Sequence, residues 1–378
     1  PKYISSVDSG NLAGHLIVLK QGLISITENK IIHPQFFQGL SDTIRVLLEY
    51  SDEKETLQQF LNELEEKETD KINSLEEIIT YLDQLEVSFT RLQTGLNPAV
   101  LNLENLWAQK VLQQLNEQKN TIHALASWTL ISGVPQRFEP FLSDLSLIPS
   151  LKQIASFEQL YLEKLSIING EHPNESEKEW LVKFSASLTE SSKRARELIL
   201  TTEMLAENCM QLANIEFEFL FDKSQNLLSI GYYPEEHRKD QGYYDLLASE
   251  ARLTTLVGIA LGKIPQESWF ALGRQLTSQG LAPVLLSWSG SMFEYLMPFL
   301  VTPSYPNTLL HQTSKAVIRR QIEHGNNHGV PWGVSESAYN MVDAHLNYQY
   351  KAFGVPGIGF KRGLGEDLVV SPYSTLLA

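Results

Sequence analysis

Residues 51–93 read SDEKETLQQFLNELEEKETDKINSLEEIITYLDQLEVSFTRLQ. Leu57, Leu61, Leu64, Ile72, Leu75, Ile79, Leu82 and Leu85 recur at intervals of three and four, with charged residues filling the other positions. That period puts one apolar stripe on a helix, whereas a strand would alternate every second residue. The stretch therefore predicts a pair of amphipathic helices. The acidic run Glu63, Glu65, Glu66 and Glu68 is expected on the solvated face or in the turn between them. Asn97-Pro98 is expected to close the pair, because a residue before proline avoids the helical region.

The same texture extends both ways. Residues 12–26 and 36–50 predict helices separated by a break at Asn29 and Pro34. Further helices are expected over 99–132, 150–168 and 176–214, interrupted by Pro135, Pro140 and Pro149 and by Gly170–Pro173. Composition then changes near residue 229. Seven of the 22 glycines precede it and 15 follow. Residues 217–221 and 227–232, flanking a polar turn at 222–226, predict a hairpin. Helices over 243–262, 267–279, 291–300, 308–325 and 336–341 are expected to alternate with glycine- and proline-rich loops. The class is mainly α, either as two domains or as one toroid of paired helices.

The charge narrows the partners. Thirty Lys and Arg against 45 Asp and Glu give a formal net charge of −15 across 378 residues. Nucleic-acid binding rests on cations that neutralise phosphates, so no nucleic acid is expected. Direct membrane contact is likewise not expected, since there is no apolar run of 18 residues and no basic surface for anionic lipid. The single cysteine, Cys209, offers no disulfide framework. The chain opens on Pro1 inside a polar segment and reads as part of a longer protein.

Common catalytic motifs are missing. There is no P-loop, and Gly354-Val355-Pro356-Gly357-Ile358-Gly359 lacks the spacing of a dinucleotide turn. Ser289 does not lie in GxSxG. His324 and His328 stand four apart, but without the glutamate of a zinc-peptidase helix and with Gly325 and Gly329 expected to interrupt it. No metal and no cofactor are expected.

What remains is carboxylates among aromatics: Glu250 in 243–252 near Tyr244 and Arg252, Glu294 in 286–295 near Trp288, and Glu336 in 330–340 near Trp332, Tyr339 and Asn340, with Tyr348 and Tyr350 following. Each acid taken alone is more simply a helix cap or a satisfied structural group. Three together suggest glycoside chemistry. One carboxyl protonates the leaving oxygen, and a second attacks the anomeric carbon or activates water. Flat aromatic faces would stack on sugar rings. Arg252 is expected either to orient Glu250 or to serve as a structural bridge.

Several long runs carry a resemblance: 3–16 (YISSVDSGNLAGHL), 247–253 (LASEARL), 286–298 (LSWSGSMFEYLMP), 332–340 (WGVSESAYN), 348–357 (YQYKAFGVPG) and 367–373 (DLVVSPY). They resemble the middle, glucoamylase-like region of cyclic β-1,2-glucan synthases, weakly over 40–210 and densely after 215. The resemblance implies one (α/α)6 toroid over 1–378, with the hairpin and long loops at one end. It implies retaining transglycosylation that closes linear β-1,2-glucan into a ring. Glu336 is then the nucleophile and Glu250 the acid/base. Trp288, Trp332, Tyr339, Asn340, Tyr348, Arg252, Tyr244 and Glu294 are placed at the substrate. The partners implied are the glucan and covalently linked glucosyltransferase and phosphorylase-like modules. The implied location is the cytoplasmic side of the inner membrane of a Gram-negative bacterium. A β-1,2-glucan hydrolase and a non-catalytic glucan-binding scaffold are the alternatives.

Overall fold

A computed structural model describes residues 2–93, 103–169, 174–279 and 282–378. The fold is mainly α. In chain order the helices are α1 (Ser6–Glu28), α2 (Gln35–Tyr50), α3 (Lys54–Glu66), α4 (Leu75–Gln93), α5 (Leu103–Leu125), α6 (Glu139–Leu142), α7 (Leu151–Asn169), α8 (Glu175–Ala213), α9 (Ala251–Ala260), α10 (Glu267–Ala271), α11 (Met292–Leu296) and α12 (Leu309–His328). The strands are β1 (Ile4–Ser5), β2 (Phe221–Asp222), β3 (Leu227–Leu228), β4 (Gly231–Tyr233), β5 (Arg238–Lys239), β6 (Leu276–Gln279), β7 (Ala282–Leu285), β8 (Ser337–Val342) and β9 (Tyr348–Lys351). Among the described residues no helix is long and apolar enough to cross a membrane.

The chain divides into two compact units. One comprises Gln21–Ala206; the other joins Pro1–Lys20 to Glu207–Ala378. The composition break at 229 falls inside the second of these.

The 21–206 unit is helical, as its periodicity predicts. Leu57, Phe60, Leu61 and Leu64 of α3 are buried, as are Leu75, Ile78, Leu82, Leu85 and Phe89 of α4. They share one core with Leu40, Ile44 and Leu47 of α2 and Val111 and Leu115 of α5. Each fully buried side chain of this size contributes about 1.5–3 kcal/mol relative to exposure. Glu63, Glu65, Glu66 and Glu68 are exposed, where Arg45 meets Glu65 at 2.6 Å and Lys71 meets Glu68 at 2.6 Å. The acidic run is a solvated helix end. The expected stop at Asn97-Pro98 and the break at Gly170–Pro173 lie outside the described residues.

The other unit departs from the sequence reading in five places. The hairpin exists, but its ladder is only β2 against β3, with Phe221 opposite Leu228, because Phe217 turns away into a core with Leu253, Val257 and Ile264. The second arm, β4, pairs instead with β1 and β5 in a three-stranded antiparallel sheet. The helix expected over 267–279 stops at Ala271, and 276–279 pair with 282–285 as the antiparallel strands β6 and β7. The helix expected over 336–341 is strand β8, paired with β9. Tyr339 and Val342 favour a pleated surface, and Ser337 and Asn340 do not hold a helix. The stretch 243–250, expected to be helical, is a turn, and α9 begins only at Ala251. Finally, α12 runs through Gly325 to His328 and is closed by Gly329 in the left-handed region, φ 65°.

Candidate functional site

Helix α1 is fastened to α9 by a contact that only glycine permits. A Cβ on Gly10 would lie 2.2 Å from Thr254 Oγ1 and 2.4 Å from its Cβ. Thr254 Oγ1 in turn faces the carbonyls of Ser6 and Val7, at 3.4 and 3.3 Å. One residue on, Asn11 Nδ2 donates to Glu250 Oε1 at 3.3 Å. The run 3–16 therefore owes its unusual composition to a close helix crossing and to one amide that meets a carboxylate 239 residues away.

Glu250 is the residue before α9 and is buried. Ser249, with φ 48°, is in the left-handed region that costs a non-glycine residue about 1 kcal/mol or more. Its hydroxyl donates to Glu250 Oε2. Burial lifts the Glu250 carboxyl above the ordinary range, and Asp8 adds to the lift, while Ser249 and Asn11 oppose it.

Glu336 is half-buried at the entrance to β8, and Tyr350 Oη donates to its Oε2 at 2.7 Å. Its backbone is pinned from several sides. Buried Gln321 on α12 donates to Val334 O at 2.9 Å and accepts from Val334 N at 2.8 Å. Ser335 Oγ accepts from Phe293 N at 3.1 Å, and Tyr373 Oη donates to Glu336 O at 3.1 Å. Burial raises the Glu336 carboxyl, Tyr350 opposes this, and the charges of Glu294 and Glu250 raise it further. The two acids thus sense each other.

Glu336 lines a cavity of about 490 Å³ together with Tyr243, Tyr244, Ser249, Trp288 and Glu294; Glu250 follows Ser249 in the chain but is not itself part of the lining. Trp288 is 58% exposed and presents a free aromatic face. Tyr243 is fixed by its hydroxyl, which donates to Asp222 Oδ2 at 2.5 Å in the β2–β3 turn. That bond, with Ser224 from the same turn, holds the Asp222 carboxyl far below its usual range.

Glu294 also faces the cavity, but its carboxylate serves the loop. Oε2 accepts from Ser287 Oγ at 2.7 Å, Ser289 Oγ at 2.7 Å and Ser289 N at 2.9 Å. A capping box with Ser291 starts α11. Arg252 takes the structural option. Its guanidinium donates to the carbonyls of Glu294 at 2.6 Å and Tyr295 at 2.5 Å and stacks near Phe299. Burial lowers it to about 10, which leaves it charged at neutral pH. Trp332 and Tyr339 pack against the core rather than lining the cavity. Asn340 and Tyr348 are exposed on β8 and β9, outside the lining. His324 and His328 stack on each other at 4.3 Å, and among the described residues no three His, Cys, Asp or Glu side chains gather as a metal site.

The sequence reading did not single out Asn11, Ser249, Tyr373 or Asp222. It passed over Tyr350 in favour of Tyr348. Tyr348 and Tyr350 stand two apart on β9 and share a face, so alternation alone does not separate them; Tyr350 is the one paired opposite Ala338, within reach of Glu336.

The raised carboxyls carry a stability signature. Both titrate higher folded than unfolded, so ionising them opposes folding. The cost is absent below the ordinary carboxyl range near pH ~4.3 and complete above the folded midpoints. Glu250→Gln is expected to raise the melting temperature at pH 7, with the gain fading as the pH falls toward 4. Melting curves across that range check it, and a loss of stability at pH 7 would contradict the burial argument.

No family model matches the chain. Among characterised proteins, the cyclic beta-(1,2)-glucan synthase NdvB of Rhizobium meliloti (strain 1021) is 34% identical over 387 residues, an alignment covering 100% of this chain and 12% of that protein. The chain therefore spans a small part of the length of the relative it matches. From one end to the other, it is related to a segment of a cyclic beta-(1,2)-glucan synthase.

Proposed function

We propose that the 490 Å³ cavity is the active site of a retaining transglycosylase that closes linear β-1,2-glucan into a ring. The observation that carries this is the pair Glu250 and Glu336, two carboxyls lifted by burial beside aromatic faces. The relative's name supplies the glucan. Glu336 attacks the anomeric carbon as Glu250 gives its proton to the departing oxygen. A hydroxyl of the same chain then gives a proton to Glu250 and displaces Glu336. Glu336 lines the cavity and accepts a hydroxyl hydrogen bond that favours its charged form, as a nucleophile requires. Glu250 has the deeper surroundings expected of an acid.

On the same reading the chain works beside glucosyltransferase and phosphorylase-like modules, on the cytoplasmic side of an inner membrane, and 1–378 act as one (α/α)6 body. Among the described residues nine helices have ten residues or more and would supply that body; α6, α10 and α11 have four or five.

Incubation with linear β-1,2-glucan tests the proposal. Cyclic products support it, shorter linear chains indicate hydrolysis, and unchanged glucan at high protein concentration points to a scaffold. Tyr350→Phe gives a finer check. Losing the donor to Glu336 moves its titration upward, so the acidic limb of the kcat/KM profile shifts to higher pH. Below that limb activity falls by about fivefold, the worth of a charge-assisted hydrogen bond discounted for exposure. An unmoved limb would remove Tyr350 from the site.

A further inference from the structure

Glu250 is held at both oxygens, by Ser249 Oγ on Oε2 and by Asn11 Nδ2 on Oε1. A serine hydroxyl can donate or accept, so Ser249 suits the carboxyl whether or not it carries a proton. A fixed amide donor favours the ionised form, because it offers nothing to the O–H of the acid. Asn11 has a second resource. Its Oδ1 is buried and without a hydrogen-bond partner. Most buried polar atoms are satisfied, so an orphan acceptor beside a titrating acid calls for an explanation. The backbone cannot slide to provide one, because Gly10 locks α1 against Thr254. A half-turn of the side-chain amide can. It exchanges Nδ2 for Oδ1 opposite Glu250, and no existing bond of Oδ1 is broken.

We propose that Asn11 is a positioning residue that serves Glu250 in both protonation states, donating through Nδ2 to the carboxylate and accepting through Oδ1 from the carboxylic acid. The proposal rests on Glu250 being the acid/base. That role needs both states in every cycle. Glu250 first loses its proton to the glycosidic oxygen as the C1–O bond breaks and Glu336 bonds to C1. It then recovers a proton from the acceptor hydroxyl as that oxygen bonds to C1 and Glu336 leaves. Asn11 transfers no proton; its amide keeps the carboxyl aimed through both steps. The other groups that share Glu250's field are Asp8 on α1, Tyr244 on the preceding loop, Glu336 before β8 and Tyr350 on β9. All stay in place in the variants below.

The test follows the Glu250 carboxyl by carbon-13 NMR titration, its resonance identified by its loss in Glu250→Gln, together with turnover of linear β-1,2-glucan. Asn11→Asp offers only acceptors. It is expected to raise the Glu250 midpoint by about one pH unit or more. The second half-reaction should then slow more than the first, so a protein-bound glycan accumulates and is seen by mass spectrometry. Asn11→Ala loses the donor without adding charge and should also raise the midpoint, by less. Asn11→Ser, which can both donate and accept, should bring it back toward the native value. An unchanged midpoint in both the Asp and Ala variants overturns the proposal; should the Asp variant not fold, an unchanged midpoint in Ala does so alone. Wild-type protein that leaves the glucan untouched would sink the transglycosylase reading, while the titration still decides whether Asn11 governs Glu250.

Discussion

Glu336→Gln is expected to abolish ring formation, with turnover falling on the order of 10⁴-fold or more, the scale seen when a covalent nucleophile is removed. Glutamine keeps the shape of the side chain and can still accept from Tyr350 Oη. The backbone clamps from Gln321, Ser335 and Tyr373 do not involve the carboxyl, so the fold should survive and the loss should be chemical. Glu250→Gln should cost about 10²–10⁴-fold, the range for a positioned general acid. The two variants separate on a glucan carrying a good leaving group such as nitrophenolate. Departure then needs no proton, so Glu250→Gln should release the phenol rapidly in a burst, and Glu336→Gln should not. The opposite pattern would exchange the two roles. Full activity in either variant would end the assignment of that residue.

Gly354→Ala is expected to cause a large loss of stability for a change of one methyl group. The loop 287–290 and the segment 354–360 lie backbone against backbone. Ser287 N donates to Ile358 O at 3.2 Å, Val355 N to Gly290 O at 3.1 Å and Phe360 N to Ser287 O at 3.1 Å. A Cβ at Gly354 would fall 1.7 Å from Ser289 O and 2.7 Å from its carbonyl carbon, with no side chain that could yield instead. The two segments must separate. That loosens Trp288 and the serines around Glu294, at an expected cost above ~4 kcal/mol. For a unit of this size it is a fall of roughly 10 °C in melting temperature. Gly39→Ala is the control. It lies in α2 with nothing within 4 Å of the added methyl, so it should stabilise the 21–206 unit by up to ~1 kcal/mol. A Gly354→Ala protein that melts like wild type would show that the contact can relax.

Helical character was largely legible in the sequence, because an apolar stripe of period 3.6 is a local property. Leu57, Leu61, Leu64, Leu75, Leu82 and Leu85 were read as core and are buried. The failures share a cause. Residues 276–279 and 337–342 are strands only because partners at 282–285 and 348–351 complete their ladders, and short apolar runs do not announce a partner. The two central acids were legible as carboxylates in aromatic company. Their holders were not. Asn11 reaches Glu250 across 239 positions, and Tyr350 reaches Glu336 through a strand pairing that the expected helix would have forbidden. Glu294 and Arg252 show the reverse. Their composition suggests chemistry, but the serine hydroxyls and carbonyls around them give both a structural task.

The three-stranded sheet has a consequence for synthesis on the ribosome. Ser5 pairs with Gly231, and 231 − 5 = 226 residues separate them. At roughly 5–20 residues per second, Tyr3 to Ser5 wait about 10–45 s before a partner emerges. During that interval the 21–206 unit, a compact unit in its own right, can fold as it is made. The strand, Gly10 and Asn11 cannot. The carboxyl pair is therefore among the last features of the nascent chain to be completed, and Glu250 meets the Asn11 amide only once the 239 positions between them have been made.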